Sequence, residues 1–365
     1  MGRNRKKRCL AFLMALTMMT GLFMGDAAGL LVKAEDTPAS VQIGITTLET
    51  GWYVKAVDPP STPGPSATIR GVDKVGEEPE SGGYIYFDKD TATMTVYNDM
   101  EIATSGPNPV TVTGGNLTIS GAGNFTVEGT SPAFLLAGTS AAVVTKDFTG
   151  NFKVTSNSNV INGGSRFEID TTGDITLETA STSSEPIALS SGVVDLSGKK
   201  VTITAPCGMI DSGVSTLNLA QTEGDLVISS SSLWYPIFNA ENVTLKNTGG
   251  KVKLENTSTG VLTDSNLTIE AAGDISLKSA KGITSKSNPQ VSLTSTNGDV
   301  TIEQESSTYV IDTQNAVSLN AGGTVTVKRN TEGTALASMV NGIFETGVIQ
   351  LVDGTKKGAI VDGTV

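Results

Sequence analysis

The sequence predicts an all-β protein, a right-handed parallel β-helix of roughly ten three-stranded coils, each about 25 residues long. Two observations predict this fold. A glycine recurs at a nearly constant interval, and the segments on either side of it alternate apolar and polar residues. The stretches "NLTIEAAGDISLKSA" and "QVSLTSTNGDVTIEQE" show both features, because each places two alternating segments around a Gly-Asp pair.

The recurring glycine precedes the second alternating segment of each unit. Its first and last occurrences are 224 residues and nine steps apart, so the mean period is 24.9 residues. Units of such regular length favour a solenoid, in which each unit stacks on its copy. Glycine is expected to supply a positive φ at the corner of each coil. The ten positions are Gly123, Gly150, Gly173, Gly198, Gly224, Gly250, Gly273, Gly298, Gly323 and Gly347.

Each unit holds three short segments with the two-residue alternation of half-buried strands. In one unit the apolar pairs are Leu267/Ile269 and Ile275/Leu277, followed by a looser apolar position at Ile283. The leucine-rich repeat shares this period, but no unit contains its signature. An antiparallel sandwich is the stronger alternative, yet hairpins have no reason to keep a fixed three-part unit. The crossover rule for parallel strands predicts the right-handed winding.

The chain divides into four predicted regions. Residues 1–34 are a signal peptide, because the basic "MGRNRKKR" precedes the apolar "LAFLMALTMMTGLFM". Residues 35–83, with the proline-rich "PPSTPGPS", form an N-terminal cap and linker, residues 84–353 the β-helix, and residues 354–365 a C-terminal tail. Because a signal peptide directs export, the mature chain is expected to be extracellular, released or associated with a cell surface. No later apolar segment reaches about 20 residues, so no membrane span is expected in the mature chain; the alternative is that the chain is a fragment of something longer.

Charge and cysteine content narrow the partners and the sources of stability. Without the leader the chain carries 19 basic and 36 acidic residues, a formal charge of −17. This charge disfavours nucleic acid and anionic membranes as partners. Cys207 is the single cysteine of the mature chain, so an intramolecular disulfide is excluded. Stability is therefore expected to come from packing and backbone pairing.

Part of the chain resembles a known kind of protein. The stretches "YIYFDKDTATMTVYNDMEI" and "VTVTGGNLTISGAGNFTVEG" are similar to the opening of secreted repeat proteins of gut Gram-positive bacteria, described as carbohydrate-binding-domain or right-handed β-helix proteins. The resemblance covers roughly residues 84–353, and its motifs are structural. It implies an extracellular, surface-related role and carries no catalytic signature.

The residue after each recurring glycine forms a predicted column along one corner of the solenoid. From Asp174 to Asp274 this column alternates Asp and Lys, which suggests a ladder of opposite charges that favours the correct register. The alternative is that Asp and Asn are simply favourable turn residues. Asp274 and Asp299 break the alternation as adjacent like charges. Two carboxylates fall short of the six to eight oxygens that Ca²⁺ takes, so a metal site here is predicted to be unlikely and no cofactor is expected.

Catalysis is predicted to be absent. The chain contains no histidine, which is the commonest general base, and no Asp-Asp pair. The mature chain keeps three arginines, at positions 70, 166 and 329. Glu303 and Glu305 alternate on one strand face, where two carboxylates usually serve solubility. A polysaccharide lyase or hydrolase remains the enzymatic alternative.

Glycan binding generally uses exposed aromatic rings, and only 5% of the residues are aromatic. Trp234 and Tyr235 in "SSSSLWYPIFNA" are the candidates for an exposed platform, or else they pack over a corner. Trp52 and Tyr53 are expected to fill the N-terminal cap. The sequence thus predicts a secreted, non-catalytic surface scaffold, adhesin-like or glycan-binding, whose partner is an extracellular glycan or a host or cell-surface protein. The alternative is a passive structural spacer of a larger surface protein.

Overall fold

A computed structural model of the chain describes most of the predicted β-helix. The predicted signal peptide (residues 1–34) and Trp234 lie outside the described residues. The structure describes residue 38 and residues 40–57, 70–230, 235–261, 266–281, 283–284, 290–305, 310–312, 317–329, 342–344, 348–353 and 356–361.

The described part of the chain contains strands and turns and no helix, which confirms the all-β prediction. In chain order the strands are β1 (Ser40–Ile43), β2 (Thr46–Thr47), β3 (Gly51–Lys55), β4 (Val72–Val75), β5 (Tyr84–Asp88), β6 (Thr93–Tyr97), β7 (Met100–Thr104), β8 (Val110–Thr113), β9 (Asn116–Gly121), β10 (Phe125–Gly129), β11 (Phe134–Ala137), β12 (Ala142–Phe148), β13 (Phe152–Ser156), β14 (Ile161–Gly163), β15 (Arg166–Asp170), β16 (Ile175–Thr179), β17 (Ile187–Gly198), β18 (Val201–Thr204), β19 (Asp211–Gln221), β20 (Leu226–Ser230), β21 (Asn242–Asn247), β22 (Val252–Asn256), β23 (Asn266–Ala271), β24 (Ile275–Ser279), β25 (Ile283–Thr284), β26 (Val291–Ser295), β27 (Val300–Gln304), β28 (Ile311–Asp312), β29 (Val317–Ala321), β30 (Val325–Arg329), β31 (Gly342–Phe344), β32 (Val348–Asp353) and β33 (Lys356–Val361).

The coil strands stack in parallel on three faces. The first face runs through β9, β12, β15, β17, β19, β21, β23, β26, β29 and β31. The second face consists of β7, β10, β13, β16 and β18, and then of β20, β22, β24, β27, β30 and β32. The third face consists of β8, β11, β14 and the first residues of β17 and β19, with β25 and β28 further along. This arrangement is a β-solenoid.

The register gives the length of one turn directly. On the first face Leu117 of β9 and Val317 of β29 are joined by eight consecutive parallel steps. These 200 residues make 25 residues per turn and a solenoid of about eight turns. The roughly ten coils predicted from the ten glycine positions exceed this number by about two.

The centre of the solenoid is filled by the inward side chains of all three faces. Alternating residues of each coil strand are buried, as the two-residue period requires. Rings from successive coils pack against each other with centroids 5.5 to 6.3 Å apart, and each such buried side chain contributes about 1.5–3 kcal/mol. These rings belong to Phe125, Phe134, Phe148, Phe152 and Phe167.

The recurring glycines are required by close stacking of the coils rather than by positive φ. A Cβ atom on Gly150 would clash with the carbonyl oxygen of Gly123 one coil earlier, and a Cβ on Gly123 would clash with that of Asn98. Neither glycine has positive φ; within the column Gly224 does, at 71°. The expected positive φ is therefore wrong for Gly123 and Gly150, because their backbone lies directly on the preceding coil.

Antiparallel strands lie at both ends of the solenoid. At the N-terminal end β1 pairs with β2 and with β8, and the first face continues through β6, β5, β3 and β4. The pairing of β6 with β9 is parallel, while those of β5 with β6, β3 with β5 and β3 with β4 are antiparallel. At the C-terminal end β33, which lies in the segment assigned to the tail, pairs antiparallel with β32.

Candidate functional site

The predicted aromatic platform is described at one of its two residues. Tyr235 is 50% exposed, so its ring is available at the surface. Its backbone is fixed by the next coil, since the Tyr235 carbonyl accepts hydrogen bonds from the Thr259 hydroxyl (2.6 Å) and the Asn256 amide (3.3 Å). Trp234 lies outside the described residues. Tyr235 therefore remains a candidate glycan-binding residue only because its side chain is exposed.

The corner column is held by hydrogen bonds from side chains to backbone rather than by a series of ion pairs. The side-chain oxygens of Asn124 and Asn151 each accept the backbone N–H of the column residue one coil further on, at 2.8 Å. Asp225 accepts the N–H of Lys251 in the same way, at 2.9 Å. Because short Asp and Asn side chains reach a neighbouring backbone amide, the turn-residue alternative explains this column.

Of the expected Asp–Lys ladder, the described residues show one ion pair between neighbouring column residues. Lys251 Nζ lies 2.6 Å from Asp274 Oδ2, whereas Lys199 pairs with Glu223 (3.3 Å), which lies outside the column. The hydrogen bond from Lys251, followed by that from the Asp299 backbone N–H, lowers the pKa of the Asp274 carboxyl. The column is thus a ladder of amide contacts with one ion pair on its surface.

The adjacent carboxylates Asp274 and Asp299 are accommodated without a metal ligand set. Asp274 Oδ1 accepts the backbone N–H of Asp299 (3.0 Å) and its Oδ2 faces Lys251. Asp299 Oδ1 accepts the backbone N–H of Thr324 (2.7 Å). Within the described residues no group of three or more His, Cys, Asp or Glu side chains is placed to hold a metal ion.

A second column of alternating charges lies on the second face. Strand register places Glu255, Lys278, Glu303 and Lys328 directly next to one another in successive coils. Lys328 Nζ lies 3.4 Å from Glu303, and Lys278 Nζ lies 3.1 Å from Glu305. Both glutamates that could suggest an acid/base pair thus have a lysine partner. The signal was visible in the sequence as Glu or Lys directly after the second apolar pair in the four consecutive units from Glu255 to Lys328.

Four aromatic side chains form a cluster that the sequence reasoning missed. We call Trp52, Tyr84, Tyr86 and Tyr97 the N-terminal aromatic face. Register places Trp52 beside Tyr86 and Tyr84 beside Tyr97 on β3, β5 and β6. The ring centroids of Trp52 and Tyr86 are 4.7 Å apart, and those of Tyr84 and Tyr97 are 5.0 Å apart in a stacked arrangement.

This cluster lies on the outer side of the sheet because side chains alternate along a strand. Tyr53, between Trp52 and Val54, points inward and is buried, and its hydroxyl donates to the Glu49 carbonyl at 2.7 Å. Trp52, Tyr86 and Tyr97 are half-buried, and Tyr84 lies beneath them at 7% exposure. The expectation that Trp52 and Tyr53 both fill the cap therefore holds for Tyr53 and is wrong for Trp52.

Polar groups surround the aromatic face. The Tyr84 hydroxyl donates to Glu78 Oε1 (3.1 Å), and the hydroxyls of Thr95 and Ser120 are hydrogen-bonded at 3.0 Å. Thr95 lies beside Tyr86 in the strand register, so this hydroxyl pair borders the rings. Apolar ring surfaces bordered by hydroxyl and carboxylate groups can bind a ligand that offers both C–H faces and hydrogen-bonding groups.

One carboxylate is buried inside the solenoid. Asp211 opens β19 at the position that Ile187 and Ile161 occupy in the preceding coils, and its exposure is 0%. Its two oxygens accept the backbone N–H of Asn239, at 3.2 and 3.3 Å. Burial raises the pKa of Asp211 to about 7. The neighbouring Ser212 hydroxyl donates to Glu185.

Comparisons with protein-family models, with curated proteins and with solved structures give no significant match. Among the described residues, no helix has the length and apolar character that crossing a membrane requires.

Proposed function

We propose that this chain is a secreted, non-catalytic scaffold of the adhesin-like type that binds extracellular glycan, as the resemblance to secreted repeat proteins of Gram-positive bacteria implies. The observation that carries the proposal is the N-terminal aromatic face, a set of half-buried rings at one end of a regular stack of coils. Ring surfaces of this kind bind the apolar faces of sugars.

The stack supports the scaffold part of the proposal. Successive strands pair in register along the first face for eight turns, and strands lie about 4.8 Å apart, so this part of the solenoid is about 40 Å long. Because every coil is hydrogen-bonded to its neighbours, such a stack holds its end at a fixed distance from the other end. A binding surface at the N-terminal end is thereby presented away from the opposite end.

The pairing of the acidic side chains supports a role without catalysis. Glu303 and Glu305 each face a lysine, and Arg166 is engaged by Glu168 at 2.6 Å. A glycosidase needs two carboxyl groups placed on either side of a bond in a site open to the substrate. The described carboxylates on the second face serve the strand ladder instead.

The test is a glycan array probed with the chain from residue 35 onward, with bound protein measured by a label on its C-terminus. We expect saturable binding to at least one class of polysaccharide. An array without any signal would favour the passive spacer. In parallel, acidic and neutral polysaccharides are incubated with the protein, and the appearance of unsaturated products or new reducing ends would establish the enzymatic alternative and overturn the proposal.

A further inference from the structure

We propose that the N-terminal aromatic face, made of Trp52, Tyr84, Tyr86 and Tyr97, is a stacking site for a neutral oligosaccharide. This inference rests on the proposed function and names the surface that carries it out. The binding site is thus placed on the outer side of the N-terminal sheet, whose inner side carries Tyr53, and no longer at Trp234 and Tyr235. The ligand is defined by its chemistry, a chain of uncharged sugar rings with apolar C–H faces.

None of the four rings belongs to the central core cluster, although Tyr84 is itself buried. The inner side of the same strands already carries Tyr53, Ile85 and Met94, all at 1% exposure or less. Strand alternation places Trp52, Tyr86 and Tyr97 on the other side, where they are half-buried. Outward strand positions along the coils carry mostly Thr, Ser, Lys and Glu instead. An aromatic cluster at this place therefore calls for a ligand.

The rings are held in place before any ligand arrives. Trp52 contacts the other three, with centroid distances of 4.7 Å to Tyr86, 5.6 Å to Tyr97 and 5.7 Å to Tyr84. The strands beneath them are paired residue by residue. Aromatic side chains that are already packed lose little conformational freedom on binding, which favours affinity for a weakly interacting ligand.

The charges around the face select a neutral ligand. Three cations of this end are engaged with carboxylates: Lys55 with Glu101 (2.8 Å), Lys89 with Glu49 (2.8 Å) and Arg70 with Asp73 (3.2 Å). Lys74 donates to the Thr50 carbonyl (2.9 Å) and lies beside Tyr53 in the strand register, on the other side of the sheet from the aromatic face. Glu78 borders the rings through its hydrogen bond to Tyr84. An acidic polysaccharide would be repelled by these carboxylates, and Lys55 and Lys89, which could offset its charge, are already paired. Sugar hydroxyls, by contrast, can donate to a carboxylate such as that of Glu78.

The same charges argue against a second copy of the chain as the occupant. Two copies meeting through this face would bring Glu78 and its neighbouring carboxylates Glu77 and Glu80 together with their own counterparts, and like charges at an interface are unfavourable. A neutral sugar chain avoids this cost. The occupant of the face is therefore an oligosaccharide.

The experiment measures binding of cellohexaose, xylohexaose and mannohexaose by calorimetry, with polygalacturonate as the acidic comparison. We expect at least one neutral hexasaccharide to bind. Trp52→Ala should weaken its binding at least about tenfold, and Trp52→Phe should restore part of it, because stacking is lost with the ring. Val227→Ala, which truncates an exposed apolar side chain on the solenoid outside both candidate sites, is the control and should leave the affinity unchanged. Loss of binding in Tyr235→Ala but not in Trp52→Ala would overturn this site.

A fluorescence titration gives a second readout. In Trp234→Phe the mature chain keeps Trp52 as its single tryptophan, so the emission change on adding the hexasaccharide reports this face. Thermal melting of each variant shows that it is folded. Sedimentation over a range of protein concentrations tests for a second copy on the face.

The outcomes separate the site from the function. Glycan binding that Trp52→Ala leaves intact would overturn this site while the proposed function stands. No binding on the glycan array would overturn the function and the site with it. Binding of polygalacturonate alone would overturn the neutral ligand class. Self-association that Trp52→Ala abolishes would assign the face to a second copy and so overturn the proposal.

Discussion

Replacing Asp211 by asparagine should remove most of a pH dependence that this residue gives the fold. Asp211 is fully buried in a column of apolar residues, and its carboxylate accepts the backbone N–H of Asn239 in the next coil. Residues 237–240 of that coil contribute an isolated bridge rather than a strand to the third face, so the carboxylate supplies a connection between the two coils there. Asparagine has nearly the same shape and can keep one of these hydrogen bonds, but it cannot titrate.

The magnitude follows from the difference in pKa between folded and unfolded chain. Burial raises the pKa of Asp211 from 3.8 to about 7, against the lowering effect of the Asn239 and Ala240 N–H groups and with a smaller contribution from the Glu185 carboxylate. The folded state therefore binds the proton more tightly than the unfolded state. Stability is greatest below pH 3.8, falls as the pH rises towards 7, and is constant above that. Between pH 5 and pH 8 this one group should cost about 2–3 kcal/mol.

The assay is urea unfolding of wild type and Asp211→Asn at pH 5 and pH 8, followed by circular dichroism. The wild type should lose about 2–3 kcal/mol more than the variant between the two pH values. Because a solenoid can open locally, amide hydrogen exchange of residues 235–240 is measured as well and should quicken with pH in the wild type alone. Equal pH dependence of the two proteins, in both measurements, would refute the reasoning.

Three further perturbations test the stacking of the coils. Gln221→Ala should cost about 1–3 kcal/mol, measured by thermal melting, since the buried Gln221 amide accepts the Val201 N–H (3.2 Å) where β18 and β20 are unpaired; a loss within error would contradict this bridging role. Gly150→Ala should lower the melting temperature more than Gly224→Ala, because a Cβ on Gly150 meets the backbone of the coil before it, whereas Gly224→Ala costs only the strain of its positive φ, about 1–2 kcal/mol; equal losses would contradict the role of close stacking. Lys278→Glu should destabilise the fold by less than about 1 kcal/mol for each ion pair that it removes, more at low salt than at high salt; an equal destabilisation at both salt concentrations would remove the charge ladder.

The period and the strand pattern could be predicted from the sequence because both are imposed at every coil. A side chain in a solenoid packs next to the equivalent side chain of the next turn. Similar residue types are therefore required at intervals of about 25 residues, and the sequence shows this period. Glycine illustrates the limit of that inference. Its positions could be predicted, but the reason for them could not, since the close approach of Gly150 to Gly123 arises only once the coils are stacked.

The charge ladder shows a second limit. The corner column was the natural place to look for alternating charges, because it follows the most regular landmark of the sequence. There the short side chains of Asp and Asn reach the backbone of the next coil. The longer side chains of Glu and Lys reach across to each other on the second face, where Lys328 meets Glu303. The corner column has its own ion pair between Lys251 and Asp274, so an alternating pattern of charges does not by itself show which side chains pair.

The N-terminal aromatic face was missed because it belongs to no repeat. Trp52 is contributed by β3, and Tyr84, Tyr86 and Tyr97 come from β5 and β6, so Trp52 meets the other rings only through antiparallel pairing over 30 residues or more. The two-residue alternation could have separated Trp52 from Tyr53, but it could not tell which of them faces the core. That choice is made by the inward side of the sheet, where Tyr53 joins Ile85 and Met94. We therefore expect a functional surface where the repeat ends, because side chains there do not have to stack on an equivalent residue in the next coil.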